Sequence, residues 1–120
     1  MKNLKINGLV WISLVFASIS CSAQQTGYAC IYSDNLCGGR VSRGEKLDCD
    51  KATAAHRTLK FGTQVRVTNL DNDKSVIVTI NDRGPFNQKD IIDMTPSAAK
   101  KIGLTHGLGR VRVKVEKVVD

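Results

Sequence analysis

The sequence predicts a small, mainly β domain, either a barrel or a sandwich. Three observations carry that reading. "TQVRVTNL" and "RVRVKVEKV" alternate apolar and polar residues with the period of a strand. "SVIVTIN" is a β-branched run, and the turn cluster "DNDK" joins it to the first of these as a hairpin. Only "TPSAAKKIG" carries helix punctuation. Several short strands with one short helix suit a closed or two-layered β fold.

Each element has its own signal. In the first alternating run Val65 and Val67 take one face, Arg66 and Thr68 the other. "SVIVTIN" reads as a strand buried on both faces, because little polar residue interrupts it. "DIIDM" reads as a further short strand. In the helix Thr95 is the N-cap, Pro96 takes the first helical position, Lys100 and Lys101 fall in the last turn, and Gly103 ends it. The last run places Val111, Val113 and Val115 inward and leaves Arg110, Arg112 and Lys114 as a solvated cationic face. Residues 26–48 are loop-like and Gly-rich, with a first strand at 28–32. "TAAHRTLKFGT" reads as a helical turn followed by an extended piece. "GTQVRV" and "GRVRV" look faintly alike, as an internal duplication or chance would make them.

At 120 residues the chain is the size of one domain. Lys2 and Lys5, an apolar run and then small residues give residues 1–23 the order of an export leader, with the domain over 24–120. The apolar run is short for a membrane span. Cleavage after Ala23 would release an exported product, periplasmic or extracellular. Cleavage before Cys21 would anchor it through acyl chains on Cys21. Ser18 stands where the lipoprotein pattern has an apolar residue, which favours Ala23. The net charge of +7 suits an anionic polymer such as a cell wall. Nucleic acid is set aside: there is no Lys/Arg run, aromatics for stacking are few, and the leader directs export. Export leaves Cys30, Cys37 and Cys49 in an oxidising compartment, enough for one disulfide and one thiol. No spacing matches a zinc site and no phosphate loop is present, so neither metal nor cofactor is expected. The product reads as a monomer. A Cys49/His56 nucleophile pair is a weaker reading than Cys49 in a bridge.

Glu45, His56 and Asp82 stand out among the titratable residues. Glu45 follows Gly44, His56 follows two alanines, and Asp82 precedes Arg83-Gly84-Pro85, so each lies beside constrained backbone. Carboxylates with one imidazole suggest general acid–base chemistry. On a basic exported domain that suggests polysaccharide cleavage. Plainer readings stand beside these. Asp82 would cap a turn or pair with Arg83, His56 would be a satisfied structural histidine, and Glu45 a solvated loop residue. Tyr28 and Tyr32 would stack on sugar rings or simply pack. Asp93 reads as a cap for the coming helix, and His106 is assigned nothing.

Three stretches together resemble the rare lipoprotein A (RlpA-like) family: "YACIYSDNLCGGRVSRGE", "TAAHRTLKFGTQVRVTNLDNDKSVIVTINDRGPF" and "IIDMTPSAAKKIG". The resemblance runs from Tyr28 to about Val115. It implies a six-stranded double-psi β-barrel with one or two short helices, the architecture of barwin and of the first expansin domain. It implies lytic transglycosylase activity on peptidoglycan glycan strands, with strands lacking stem peptides as a preferred substrate. The β-1,4 bond after N-acetylmuramic acid is cut by the sugar's own 6-hydroxyl, leaving a 1,6-anhydro end. The family's acid in the "G-E" motif falls on Glu45, its "TAAH" histidine on His56 and its "DRGPF" aspartate on Asp82. Asp82 is then the proton donor to the glycosidic oxygen and later takes the 6-hydroxyl proton, while His56 and Glu45 orient substrate and tune it. Arg83, Tyr32 and Thr53 are the implied substrate-binding residues. A cation lowers a neighbouring carboxylate's pKa, so the Arg83 side chain is expected to point away from Asp82 or to hold substrate.

The chain departs from the family at Val41-Ser42-Arg43-Gly44-Glu45, at Lys89-Asp90 and in its cysteines. A Cys37–Cys49 bridge would tie the loop bearing Glu45. Many members carry a C-terminal peptidoglycan-binding repeat that directs them to the division septum; the barrel alone is expected here. An expansin-like, non-catalytic wall-binding module is the alternative. An exported effector that binds a protein partner is the third reading.

Overall fold

The computed structural model describes residues 24–118. The leader and Cys21 expected from the sequence lie outside the described residues. Six strands close a barrel: β1 (Gln24–Ile31), β2 (Thr53–Ala55), β3 (Gln64–Asn69), β4 (Ser75–Asp82), β5 (Asp90–Met94) and β6 (Arg110–Lys117). Their order around the barrel is β1-β5-β2-β4-β3-β6. β1 runs parallel to β5, and β2 parallel to β4; the other neighbours are antiparallel. One short helix, α1 (Pro96–Lys101), follows β5, and one 3-10 turn spans Asp34–Leu36.

Strand alternation builds the core. Val65, Val67, Val78, Ile80, Ile92, Met94, Val111, Val113 and Val115 point inward and are buried. Ala98, Ala99, Ile102 and Leu104, from α1 and the turn after it, join the same cluster. Each fully buried aliphatic side chain of this kind contributes roughly 1.5–3 kcal/mol. The β3–β4 hairpin, β6 and α1 match the sequence pattern, and the turn at 71–74 places Asp73 at φ 62°. Gly103, at φ 79°, ends α1 as its position suggested.

The structure corrects the reading in four places. β4 is not buried on both faces: Ser75 and Ile77 are exposed while Val76, Val78 and Ile80 are buried. Among β-branched residues the sequence cannot show which face is wet. "TAAHRT" forms no helical turn. Its first three residues become β2, held between β4 and β5. β1 starts at Gln24, earlier than Tyr28, because β6 is long enough to pair with it throughout. Thr95 takes the N-cap place but makes no side-chain cap bond; its hydroxyl donates to Lys51 O at 2.6 Å.

The segment 33–52 has little regular structure and is fastened to the barrel in other ways. Cys37 and Cys49 form a disulfide with their Cα atoms 5.7 Å apart. Tyr32, Val41, Leu47 and Ala55 form a second, smaller buried cluster under it.

Gly27 in β1 faces Ile91. A Cβ there would lie 2.7 Å from Ile91 Cγ2, inside contact distance. Gly27→Val is therefore expected to destabilise the fold by about 1–3 kcal/mol through overpacking. Denaturant unfolding measures it, and an unchanged midpoint would contradict the packing described.

Candidate functional site

Three strands bring the site together. Ala55 of β2 pairs with Asp82 of β4 on one side and with Asp93 of β5 on the other. Neighbouring strands lie about 4.8 Å apart, so the two aspartate Cα atoms sit roughly 10 Å from each other. Residues in register across a sheet share a face, so the two carboxyl groups rise on either side of the Ala55 methyl. The small residue at 55 lets Tyr32, Val41 and Leu47 pack over it between the two strands.

The two carboxyls have opposite surroundings. Asp82 Oδ1 accepts from Ser42 N at 2.8 Å, Ser42 Oγ at 2.6 Å and Arg83 N at 2.9 Å. Its Oδ2 accepts from Tyr32 OH at 2.8 Å. Burial alone would raise the Asp82 pKa. The bonds from Ser42, Tyr32 and the Arg83 backbone outweigh it and hold the group below its ordinary value, as a carboxylate. Tyr32 responds in the other sense: burial and then the Asp82 charge push its phenol well up.

The Asp93 side chain makes no hydrogen bond among the described residues. Burial first, and then the charges of Asp90 and Asp82, raise its pKa to about 6; Arg57 opposes them. Asp93 caps no helix, contrary to the sequence reading, because its side chain belongs to the barrel groove and not to the start of α1. Nothing local to "IIDMTP" distinguishes the two roles. Only the register of β5 beside β2 does.

His56 is a neutral organiser. Its Nδ1 accepts from the backbone N–H of Thr58 at 3.1 Å and of Leu59 at 3.2 Å, which fixes the proton on Nε2. Nε2 then donates to Gln25 Oε1 at 2.7 Å. Burial, then Arg57 and Arg83, lower its pKa. The His56 backbone N–H donates to Asp82 O at 3.1 Å. Arg83 points away from the Asp82 carboxylate. Its Nη1 donates to His56 O at 3.1 Å and Leu59 O at 2.8 Å, and its guanidinium lies 4.1 Å from the Phe61 ring centroid.

Glu45 lies in the loop 41–45, with Oε2 accepting from Asn81 Nδ2 at 3.1 Å and Oε1 3.4 Å from Arg43 Nε. It makes no direct bond to Asp82 or His56. Tyr32 is buried against Val41, Leu47 and Ala55 and positions Asp82. The Thr53 hydroxyl is enclosed with no hydrogen-bond partner among the described residues. Ser42, absent from the sequence-based set, supplies two of the four bonds to Asp82; its departure from the family pattern was its only signal. Phe86 was also missed. It is 85% exposed beside Gly84, where an aromatic ring has no packing reason to stand. A cleft of about 220 Å3 opens at Asp82 between Tyr32, Asn35, Leu36, Arg40 and Val41.

A closed six-stranded barrel with two parallel crossovers and this carboxylate pair over the groove defines a double-psi β-barrel with an acidic site. A family profile described as "Lytic transglycolase" matches residues 24–115, and the chain belongs to that family. It is 47% identical over 95 residues to "Endolytic peptidoglycan transglycosylase RlpA" of Neisseria meningitidis serogroup A, covering 79% of this chain and 39% of the relative. The protein of that name from Pseudomonas aeruginosa strain UCBPP-PA14 is also 47% identical, over 79% of this chain and 28% of the relative. The chain thus spans less than two fifths of these relatives. Among solved structures, Clavibacter michiganensis expansin, crystallised as an Asp-to-Asn variant with cellohexaose, superposes with a TM-score of 0.65 at 18% identity, over 82% of this chain and 52% of that one. A Streptomyces papain inhibitor gives the same TM-score at 20% identity, over 82% of this chain and 96% of the inhibitor. At such identities these two report the fold alone.

Ionised Asp93 destabilises the fold, because its folded pKa of about 6 lies above the unfolded value, roughly 3.9. The penalty is absent below about pH 4 and is complete above the folded value. Asp93→Asn should therefore raise Tm by a few degrees at pH 8 and leave it unchanged at pH 4. Equal melting of the two proteins at pH 8 would show that Asp93 is not desolvated.

Proposed function

We propose that the domain is an exported peptidoglycan lytic transglycosylase in which Asp93 is the acid and Asp82 a fixed anion. The observation that carries this is the contrast between the two carboxyls flanking Ala55: one saturated with four donors, the other half-buried with none among the described residues. A pair of titratable groups whose surroundings push them apart divides the acid role from the charge-stabilising role. The proton-donor role expected of Asp82 passes to Asp93, because every bond to Asp82 favours its charged form.

The proposed reaction balances without water. The Asp93 carboxyl gives its proton to the glycosidic oxygen as the C1–O bond of the muramyl sugar breaks. Positive charge develops at C1 and the ring oxygen, and the Asp82 carboxylate stabilises it without losing its own bonds. The 6-hydroxyl oxygen of the same sugar bonds to C1, and its proton returns to Asp93. A 1,6-anhydro end and a free 4-hydroxyl result. Tyr32 and Ser42 hold Asp82. His56 holds the turn 57–59, whose Leu59 carbonyl fixes Arg83, and Glu45 is held at the rim by Asn81. Phe86 offers an exposed ring for the apolar face of a sugar.

Digestion of purified peptidoglycan by residues 24–120, with products read by mass, tests the proposal. Anhydro-muramyl ends are expected. Asp93→Asn should lower their rate by at least a hundredfold, in the range of general acid catalysis. Reducing ends would mean hydrolysis instead. Retention on the sacculus without cleavage would favour the expansin-like binder. The rate should also fall as pH rises through about 6, because the acid must be protonated. A rate flat from pH 5 to 8 would exclude Asp93 as that acid.

A further inference from the structure

The loop 41–45, whose Val41 borders the Tyr32 cleft, also borders a second recess, of about 560 Å3, through Arg43. Arg43, Lys60, Phe61, Thr63, Gln64 and Lys117 line it, and among the described residues no carboxylate does. Arg43 is paired with Glu45, whereas Lys60 and Lys117 have no ion pair among the described residues. The recess is fixed to the acidic site rather than scattered over the surface. Arg43 follows Ser42, which holds Asp82, and its backbone N–H donates to Asn81 O at 3.1 Å. Gly62 N donates to Ile80 O at 2.7 Å, and Thr63 O accepts from Ile80 N at 2.9 Å, two residues before Asp82. Phe61 carries the Arg83 guanidinium over its ring.

We propose that this recess binds a carboxylate on the side arm of the glycan whose backbone crosses Asp82 and Asp93. The inference rests on the wall-glycan reading above and names the feature of that polymer the domain selects. Every muramyl sugar carries a lactyl arm on its 3-oxygen. The arm ends in a free carboxylate where the strand is bare, and continues into a peptide with carboxylates of its own where it is not. Two lysines lining a recess with no acid among the described residues concentrate positive potential, and an anion entering it relieves their repulsion. A neutral glycan offers them nothing. Charge-assisted bonds from Lys60 and Lys117 to one carboxylate are worth about tenfold in affinity at this degree of exposure.

Titration calorimetry on the Asp93→Asn protein, whose turnover is expected to be at least a hundredfold slower, tests this with four oligosaccharides of equal length. They are a bare muramyl strand, the same strand with its lactyl carboxylates amidated, a strand bearing stem peptides, and a chitin oligomer. If the lactyl carboxylate is the ligand, the bare strand binds about tenfold more tightly than the other three. If the peptide supplies it, the stem-bearing strand binds most tightly. In either case Lys60→Gln with Lys117→Gln erases the preference, and added salt weakens it. Lys100→Gln with Lys101→Gln, equal in charge but on α1, leaves it intact. Equal affinity for all four ligands, or a preference that survives the Lys60/Lys117 changes, would overturn the inference alone. Absence of binding to any of them would overturn the wall-glycan reading with it.

Discussion

The hydrogen bonds to Asp82 are the constraint on which the rest of the site depends. They come from three separated parts of the chain: Tyr32 just after β1, Ser42 in the long loop, and the backbone of Arg83 at the end of β4. A partly buried charge is costly unless it is fully bonded. Satisfying Asp82 therefore fixes where these three segments meet. It also bears on the state of its neighbour. With Asp82 held negative, its charge adds to burial and to the charge of Asp90 in raising the pKa of Asp93. The asymmetry of the pair follows from one side having donors and the other none.

The loop that supplies Ser42 folds back on itself through backbone bonds such as Gly38 N to Leu47 O and Leu47 N to Gly39 O, and its placement on the barrel needs further restraints. The Cys37–Cys49 bridge closes it, and the Tyr32-Val41-Leu47-Ala55 cluster presses it onto the barrel. Within it, Val41 N donates to Glu45 O, and Arg40 Nη1 donates to Gly44 O, which shapes the tight turn where Gly44 sits at φ 108°. Only a residue tolerant of positive φ serves there. Asn81 then reaches from β4 to Glu45. The loop's position is thus set by covalent, apolar and polar contacts in turn, and Ser42 reaches Asp82 because all three agree.

What the sequence makes legible follows from how local the signal is. The β3–β4 hairpin, β6 and α1 announce themselves because alternation and capping are written in consecutive residues. β2 does not, because three residues show no period and its partners lie far along the chain. Asp82 stands out because Gly84-Pro85 marks a forced turn beside it. Asp93 does not, because an acid ahead of Thr-Pro looks like a helix start, and its burial comes from β1 and β2. Ser42 was read only as a deviation from a family pattern, since its role exists only once β4 is alongside. His56 was singled out correctly as unusual, but its partners, Gln25 and the backbone N–H groups of Thr58 and Leu59, are set by how the barrel folds around it.

The same barrel supports binding proteins and enzymes, so the fold does not decide between cleavage and mere attachment to the wall. The state of Asp93 bears on it more directly. A module that only held a glycan would gain nothing from a carboxyl set in a groove with no donor. A neutral hydroxyl could bond to a sugar there without the cost of burying an ionisable group. A carboxyl whose pKa is raised to about 6, able to release and regain its proton near that pH, is useful where a proton has to move. Asp82 supports the same argument from the other side. Four donors make it a poor acid, yet they leave a fixed negative charge beside the bond that would develop positive charge as it breaks. The two carboxyls are unequal in the sense that glycosidic cleavage requires, and simple adhesion requires neither.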